Sequence, residues 1–362
     1  SAEISWIDDL KISLKANRKF SENYSENFII IDNQYNALSP NSFGNFEIST
    51  ILINTSFSKS NENSSETFED FQNNRLVIAQ RLAALNGDNS GDIDEFGFPI
   101  GFGKNNQSVL IPAFISAYSG KNPESVSLNA MSKTPLPSWS ISYSGLMNFD
   151  FIKERFKRFS LGHAYRSSYT LNNFKSNLEY DPANNQLTDD SGNFINEFLY
   201  TNVNLVEQFN PLLKIDMELN NSLQIVMSLK KDRALSLSLD NNLLTESSGT
   251  DYSIGLGYRI KDLKFTNRVG GKRRVSKGDL NIKTDLNFRD NITIIRNLNI
   301  LDNKVTAGQT MWSLKTSADY NLSKSFNAIF FYDHLFSKFA ISTAFPMTTI
   351  RAGMTLRYSF GE

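Results

Sequence analysis

The sequence predicts an all-β protein whose antiparallel strands follow one another as in an up-and-down transmembrane β-barrel, with one helix-containing insertion. Three observations predict this fold. Apolar and polar residues alternate with a period of two in many segments. Charged residues recur on one parity of strand after strand, which requires that parity to face water. No uncharged apolar run approaches the ~18 residues of a membrane helix, so any membrane crossing must use strands.

The last predicted strand, residues 349–360, shows the alternation most clearly. Its even positions are all apolar, from Ile350 to Phe360, and nearly every odd one is polar or charged. A length of about 10 residues is what a tilted strand needs to cross the hydrocarbon of a bilayer. A closing strand rich in aromatic residues resembles the C-terminal signal of outer-membrane barrels, although Gly361 and Glu362 follow it here. We therefore expect the outer membrane of a Gram-negative bacterium as the location.

Composition excludes several classes of function. Cysteine is absent, which excludes disulfides and cysteinate metal sites. Lys and Arg number 37 against 38 Asp and Glu, a net charge of -1, so the chain has no basic footprint for nucleic acid. The 28 Phe and 13 Tyr residues suit a barrel with aromatic girdles. No signal peptide opens the sequence at Ser1, so we expect a mature chain or a fragment.

The first region, residues 1–58, reads as N-terminal barrel strands in a meander. Leu10, Ile12 and Leu14 alternate with polar residues. We predict a return strand over residues 24–31, after a turn at residues 17–19, and a third strand over residues 46–57.

The second region, residues 59–136, is a helix-containing insertion. Apolar residues and Arg75 follow each other by threes and fours, Gly87 stands where a helix would stop, and residues 109–115 form a second apolar segment. We expect this insertion to lie on the lumen or loop side, packed against a barrel wall or over the lumen. The alternative is an independent small soluble domain. The predicted helical stripe is Phe68, Phe71, Arg75, Ile78, Leu82 and Leu85.

The third region, residues 137–362, returns to strands with strong alternation. We expect its apolar parity to face lipid, at Trp312, Leu314, Tyr320, Leu322, Ile350, Met354, Leu356, Tyr358 and Phe360. The opposite parity is expected to face a water-filled lumen, at Lys214, Asp216, Glu218, Lys283, Asp285, Lys315, Asp319, Arg351 and Arg357. A soluble double sheet, with the apolar parity buried between two sheets, is the alternative.

Few residues are candidates for chemistry. His163 and His334 both continue the apolar parity of their strands, and a structural role is favoured over that of a general base. The Asx-rich loop at residues 86–92 spaces oxygen ligands as a calcium site does, but it lacks the Glu at the twelfth place, so a plain polar loop is favoured. Residues 270–274 read as a charged turn. We expect no enzymatic activity, no cofactor and no bound metal.

Several segments together resemble one known family. They run through most of the chain in one order: residues 71–75, 78–81, 109–114, 136–139, 160–170, 206–212, 255–259 and 306–310. These segments are similar to the C-terminal region of the SprA/Sov proteins, the outer-membrane translocon of the type IX secretion system, which some members also need for gliding motility.

The resemblance implies a fold and a function. The fold would be a very large single-chain barrel, of which this chain is a C-terminal piece. The function would be export of folded cargo proteins through a wide lumen, with a PorV-type barrel at a lateral opening and a periplasmic plug protein as partners, and no catalytic residues. A stand-alone outer-membrane porin and an outer-membrane barrel hydrolase are the alternative functions.

Overall fold

The computed structural model describes residues 1–5, 7–87, 91–184, 186–269, 272–300, 302–323, 326–341 and 345–359. Within these ranges, the side chains of residues 265, 267–269, 272–274, 276, 322 and 323 are not described. Two of the expected lipid-facing residues are affected, because Phe360 and the Leu322 side chain lie outside the described part. The same holds for residues 88–90 of the expected calcium loop.

The described chain is mostly antiparallel β-sheet. Its strands are β1 Ala2–Ile4, β2 Leu10–Lys15, β3 Arg18–Ile31, β4 Gln34–Ser49, β5 Ser138–Tyr143, β6 Phe156–Ser176, β7 Phe198–Leu199, β8 Asn202–Leu219, β9 Leu223–Ser238, β10 Leu243–Val269, β11 Lys272–Asn297, β12 Asn303–Ser323, β13 Phe326–Phe339 and β14 Met347–Tyr358. Its helices are α1 Glu66–Leu85, α2 Gln107–Ser119 and the single turn α3 Asp150–Lys153, with 3-10 turns at Ile53–Thr55 and Gly145–Asn148. The all-β fold class is thereby confirmed.

All fourteen strands belong to one sheet. From β8 to β14 each strand pairs with the next in sequence, as in a meander. Within the described residues, β1 pairs only with β2 and β14 only with β13, so the sheet is open. Closure into a barrel is therefore not observed, and the transmembrane barrel stays a prediction.

One strand of the sheet is interrupted by the insertion. Strand β4 pairs with β6 as far as Ser49 opposite Ser168, and β5 continues along β6 with Trp139 opposite Tyr165. Between them the chain leaves the sheet and returns, and its two ends are held by hydrogen bonds from the Leu136 amide to the Ser49 carbonyl (2.9 Å) and from Ser49 Oγ to the Leu136 carbonyl (2.7 Å). We call residues 50–137 the helical module.

The core lies between the helical module and one end of the sheet. Helix α1 begins at the N-cap Ser65, whose Oγ accepts the Phe68 amide, and buries most of its predicted stripe, but Leu85 is 76% exposed. Helix α2 is apolar nearly all round and almost entirely buried. These helices pack on apolar residues of five strands and the turn after β11, among them Ile48, Leu171, Leu205, Leu237, Leu244 and Leu298.

Three predictions about the N-terminal region are wrong in detail. The turn expected at residues 17–19 does not reverse the chain, because β3 continues in the direction of β2, and residues 24–31 are therefore not a return strand. The reversal occurs instead at Asp32 and Asn33, whose φ angles of 52° and 61° suit a tight hairpin turn. The third strand ends at Ser49, where the helical module begins, and not at Phe57.

Candidate functional site

The sheet has one apolar face and one polar face, and the apolar face is the more exposed one along β10. Tyr252, Ile254 and Leu256 are 50%, 40% and 41% exposed, while the alternating Asp251 and Ser253 are half-buried. A water-soluble sheet would bury the apolar parity and expose the polar one. This part of the molecule therefore presents its apolar side chains outward.

The apolar face is continuous across seven strands, because directly paired residues point to the same side of a sheet. We call its exposed part the belt. The large exposed apolar residues of the belt are Leu213, Tyr252, Ile254, Leu256, Tyr258, Leu286, Phe288, Phe330, Tyr332, Ile350, Met354, Leu356 and Tyr358. Contiguous apolar surface of this extent marks an interaction site with lipid or protein.

Aromatic residues line one border of the belt. Tyr252 pairs with Phe288, Phe288 with Trp312, and Trp312 with Phe336, so four aromatic side chains form a row across four strands. The opposite border carries Tyr320 and Tyr358. Aromatic girdles at both borders are typical of strands that cross a bilayer.

The height of the belt matches a bilayer. Eight residue steps separate Phe288 from Leu280 at its two borders, which is about 26 Å along the strand, or about 20 Å for a tilt of roughly 40°. Transmembrane barrels have an apolar band about 25 Å tall.

A polar row ends the belt on the side of the aromatic row. Thr250 pairs with Lys231 on one side and with Asp290 on the other, and Asp290 pairs with Thr310. These side chains share the apolar face, and Thr310 Oγ1 donates to Asp290 Oδ1 (2.6 Å). Charged groups are costly inside hydrocarbon, so this row marks the height at which the apolar face returns to water.

The described lipid-facing candidates all lie on the apolar face. Leu314 pairs with His334 and His334 with Ile350, while Tyr320 pairs with Ala328 and Ala328 with Leu356. The same register places the remaining members of the set there: Trp312, Met354 and Tyr358.

The nine lumen-facing candidates share the opposite, polar face. A single row of paired residues crosses seven strands, in the order Asp216, Val226, Gly255, Asp285, Lys315, Asp333 and Arg351. Four of the candidates lie in this row: Asp216, Asp285, Lys315 and Arg351. The other five, Lys214, Glu218, Lys283, Asp319 and Arg357, lie in neighbouring rows of this face.

Charges alternate along the part of this row from Asp285 to Arg351. Arg351 bonds Asp333 at 2.9 Å, and Lys315 stands between Asp333 and Asp285. At the other end, Arg158 of β6 bonds Asp216 at 2.9 Å. Exposed pairs such as these contribute little to stability, but they give the polar face a dense, hydrated charge pattern.

The helical module lies on the apolar face, beyond the polar row that ends the belt. It contacts Tyr165, Glu207, Arg233, Glu246 and Arg296, which all share the apolar parity. The module thus packs on the face opposite to the lumen-facing candidates, and the placement of the insertion on the lumen or loop side stays a prediction.

Two buried ion pairs of the sheet bind the helical module. The first joins the neighbouring strands β8 and β9. Arg233 bonds Glu207 at 3.0 Å with both side chains buried, and it also donates to the Thr55 carbonyl (2.9 Å). Glu207 accepts from Ser56 Oγ (2.6 Å) and from Tyr165 Oη (2.8 Å). The module thus supplies the partners that a buried carboxylate and guanidinium require.

The second pair joins β10 and β11. The Arg296 side chain is 0% exposed, and its Nε bonds Glu246 at 3.2 Å. Its Nη2 donates to Ser60 Oγ (2.8 Å) and to the Asn61 carbonyl (2.9 Å). The guanidinium lies 5.5 Å from the Phe68 ring centre. Ser60 in turn donates to Glu246 (2.8 Å), so both ions bind the same loop of the module.

Sequence reasoning missed all four charged residues of these pairs. Glu207 lies in a segment in which apolar and polar residues alternate poorly. It stands between Leu205 and Phe209 among the positions whose side chains point to the apolar face. A charge on the apolar parity is the signal that was available, because such a residue needs a buried partner.

Other buried polar groups of the module follow the same rule. Arg75 donates to the carbonyls of Lys104 and Leu298 (both 3.4 Å), and burial lowers the pKa of its guanidinium. Burial raises the pKa of the Tyr118 phenol far above its ordinary value, and the nearby Glu246 charge adds to this shift.

The two histidines have structural surroundings. His163 Nδ1 donates to the Leu212 carbonyl (2.6 Å), in a bulge of β8 between Phe209 and Leu213 where the ladder is interrupted. His334 packs against Trp312, with ring centres 4.5 Å apart and ring planes inclined by 59°, at the aromatic border of the belt. The described surroundings of both rings therefore agree with the structural role that the sequence favours.

Within the described ranges, no group of three or more His, Asp or Glu side chains could hold a metal ion. No described helix combines the length and apolarity needed to cross a bilayer.

Comparison with known proteins adds no family. No protein-family model matches this sequence, and no curated protein matches it. The resemblance described above stays a prediction.

Proposed function

We propose that this chain forms part of the wall of an outer-membrane channel that conducts folded proteins. The observation that carries the proposal is the belt: an exposed apolar face with aromatic borders, backed by a face of alternating charges. Lipid would contact the belt, and the polar face would line a hydrated lumen.

The protein cargo is proposed from the resemblance to the SprA/Sov family. The mechanism would be passive: a polar wall that does not bind cargo strongly, an opening controlled by a PorV-type barrel, and a periplasmic plug that closes the idle channel. The open edges of the sheet support a wall segment over a stand-alone porin, since unpaired strand edges cannot face hydrocarbon.

A pair of single-cysteine variants tests the membrane wall. The chain has no natural cysteine, so Leu314→Cys on the apolar face and Lys315→Cys on the polar face each introduce one thiol. In membrane vesicles prepared from the bacterium that makes this chain, a membrane-impermeant maleimide should label the thiol at position 315 and spare the one at 314, and both should react after denaturation. Equal labelling of the two folded variants would exclude the belt as a lipid-facing surface.

A secretion assay tests the protein cargo separately. In the bacterium that makes this chain, deletion should retain a reporter protein with a C-terminal secretion signal inside the cell, and complementation should restore its release. A reporter without that signal is the control. Unchanged release after deletion would remove protein export and leave the membrane wall standing.

A further inference from the structure

Strands β10 and β11 continue past the belt as a two-stranded hairpin. The neighbouring strands end their pairing near the belt border, β9 at Tyr258 and β12 at Leu280, within the described residues. Beyond a bulge at residues 260–263, β10 and β11 pair only with each other, to Val269 opposite Lys272. Nine residue steps from Ile260 to Val269 carry the hairpin about 30 Å from the belt.

The hairpin is strongly basic. Residues 259–279 contain eight Lys and Arg against only Asp262 and Asp279, in a chain whose net charge is -1. Asp279 is already engaged, because Arg259 Nε donates to it (3.1 Å) and the Asp262 amide donates to its other oxygen (3.1 Å). Little acidic charge therefore remains inside the hairpin to balance its cations.

The register places like charges opposite each other. Lys264 pairs with Lys277. Like charges directly opposite across a ladder destabilise a hairpin. No ion pair of Lys264 or Lys277 occurs among the described side chains, in which both lysines are exposed. An external anion would relieve this repulsion.

The basic surface continues onto the polar face of the sheet. A cavity of about 380 Å³ at the foot of the hairpin is lined by Arg259, Lys261, Lys283 and Lys157, with Glu218 as its carboxylate. Lys157 bonds Glu218 at 3.6 Å and Arg259 bonds Asp279, which leaves Lys261 and Lys283 without an ion pair to a carboxylate of the cavity. Lys277 has the same parity on β11 as Lys283, so the cations form one track.

We propose that this track, formed by the hairpin and the cavity at its foot, binds an extended acidic polypeptide segment. The described cations of the track extend six residue steps from Lys277 to Lys283, or about 20 Å, which suits a peptide of roughly six extended residues better than a single phosphate. The exclusion of lipid rests on the proposed function, because lipid would contact the opposite, apolar face. In a channel wall, such a track would hold an acidic segment of a partner or cargo protein at one mouth.

Binding of a fluorescein-labelled peptide of ten glutamates to the full chain in zwitterionic detergent tests this proposal, measured by fluorescence anisotropy. The variant Lys264→Glu should bind about tenfold more weakly, while replacing repulsion by attraction to Lys277 should keep the hairpin folded. Lys11→Glu, at an exposed lysine of β2 near the other edge of the sheet, should bind within about twofold of the parent chain.

Two results would overturn the proposal. One is equal affinity of Lys264→Glu and the parent chain for the glutamate peptide. The other is displacement of the bound peptide by vesicles of phosphatidylglycerol but not by excess unlabelled glutamate peptide, which would identify an anionic lipid surface as the ligand. Both readings are independent of the cysteine labelling at positions 314 and 315, so failure of the track and failure of the membrane wall are distinguishable.

Discussion

At the scale of single residues, the charges buried on the apolar face determine how the helical module stays in place. Each of the two arginines meets a carboxylate from the neighbouring strand and a carbonyl or hydroxyl from the module. Their position is costly in isolation, and the module is the only described element that supplies the missing partners. The two arginines therefore make the position of the helical module on the sheet specific, because an apolar surface could not supply the hydrogen-bond acceptors that they need.

Replacement of Arg296 by Ala should destabilise the protein by about 3–5 kcal/mol, because Glu246 is left buried with its charge unpaired. The double variant Arg296→Met/Glu246→Leu should lose less, since it removes both ions. Denaturant unfolding measures the two losses, and Arg289→Ala, at an exposed arginine of the same strand, is the control. A double variant that is less stable than the single one would contradict this account.

His163 is expected to stabilise the bulge in β8. In His163→Phe the ring still packs beside Trp139 and Phe209, but the Leu212 carbonyl loses its donor. The expected cost is about 1–3 kcal/mol of unfolding free energy. His334→Phe, whose ring nitrogen contacts only the Tyr332 hydroxyl among the described groups, should cost less. Similar losses in both variants would remove the special role of the bulge.

At the scale of elements, the helical module is an insertion within one continuous strand position. Thr50 donates to the Ser167 carbonyl (3.1 Å), one residue before Ser168 opposite Ser49, and the β5 register resumes with Trp139 opposite Tyr165. A single residue therefore suffices to join Ser49 to Ser138 along β6. The module is dispensable for the direction of this strand.

Removal of residues 51–137, which joins Thr50 directly to Ser138, should preserve the sheet and the belt, because belt and module occupy different heights. Circular dichroism should retain the β-sheet signal, and the labelling contrast between positions 314 and 315 should persist. The matched control joins Thr50 to Trp139, which shifts β5 by one residue and turns its apolar side chains to the polar face. If both deletions fold equally well, register does not explain the insertion point.

At the scale of the whole molecule, the open sheet carries the belt on one face and the charge row on the other. The residues that carry this division come from seven strands, so no single strand establishes it. A surface as apolar and as exposed as the belt is expected to contact lipid or protein, and its aromatic borders favour a bilayer.

Replacement of Leu256 by Lys should destabilise the protein in lipid vesicles by about 2–4 kcal/mol, as expected for a lysine at mid-bilayer. Ser253→Lys, on the polar face of the same strand, should change stability by less than about 1 kcal/mol, because its side chain stays in water. Unfolding by urea from vesicles measures both effects. A harmless lysine at position 256 would mean that the belt does not contact lipid.

Much of this organisation could be predicted from the sequence. The strands after residue 137 were predicted because their side chains alternate on a period of two, which needs no knowledge of distant contacts. The spacing of the apolar residues and Arg75 by threes and fours predicts helix α1. The burial of Arg75 explains why an arginine belongs to this stripe. The strand expected over residues 46–57 is wrong beyond Ser49, although Ile51, Ile53 and Phe57 share one parity. Ile53 begins a 3-10 turn, and Phe57 packs against Phe209 of the sheet.

The sequence by itself determined the two faces of each strand and thus the separation of apolar from charged residues, since side-chain direction in a strand depends only on parity. Only the tertiary structure decided which strands pair, that the belt stops at the Lys231–Thr310 row, and that the helical module lies on the apolar face. The reason is physical. Glu207, Arg233, Glu246 and Arg296 become tolerable on that face only when a loop distant in sequence brings its hydroxyls and carbonyls to them.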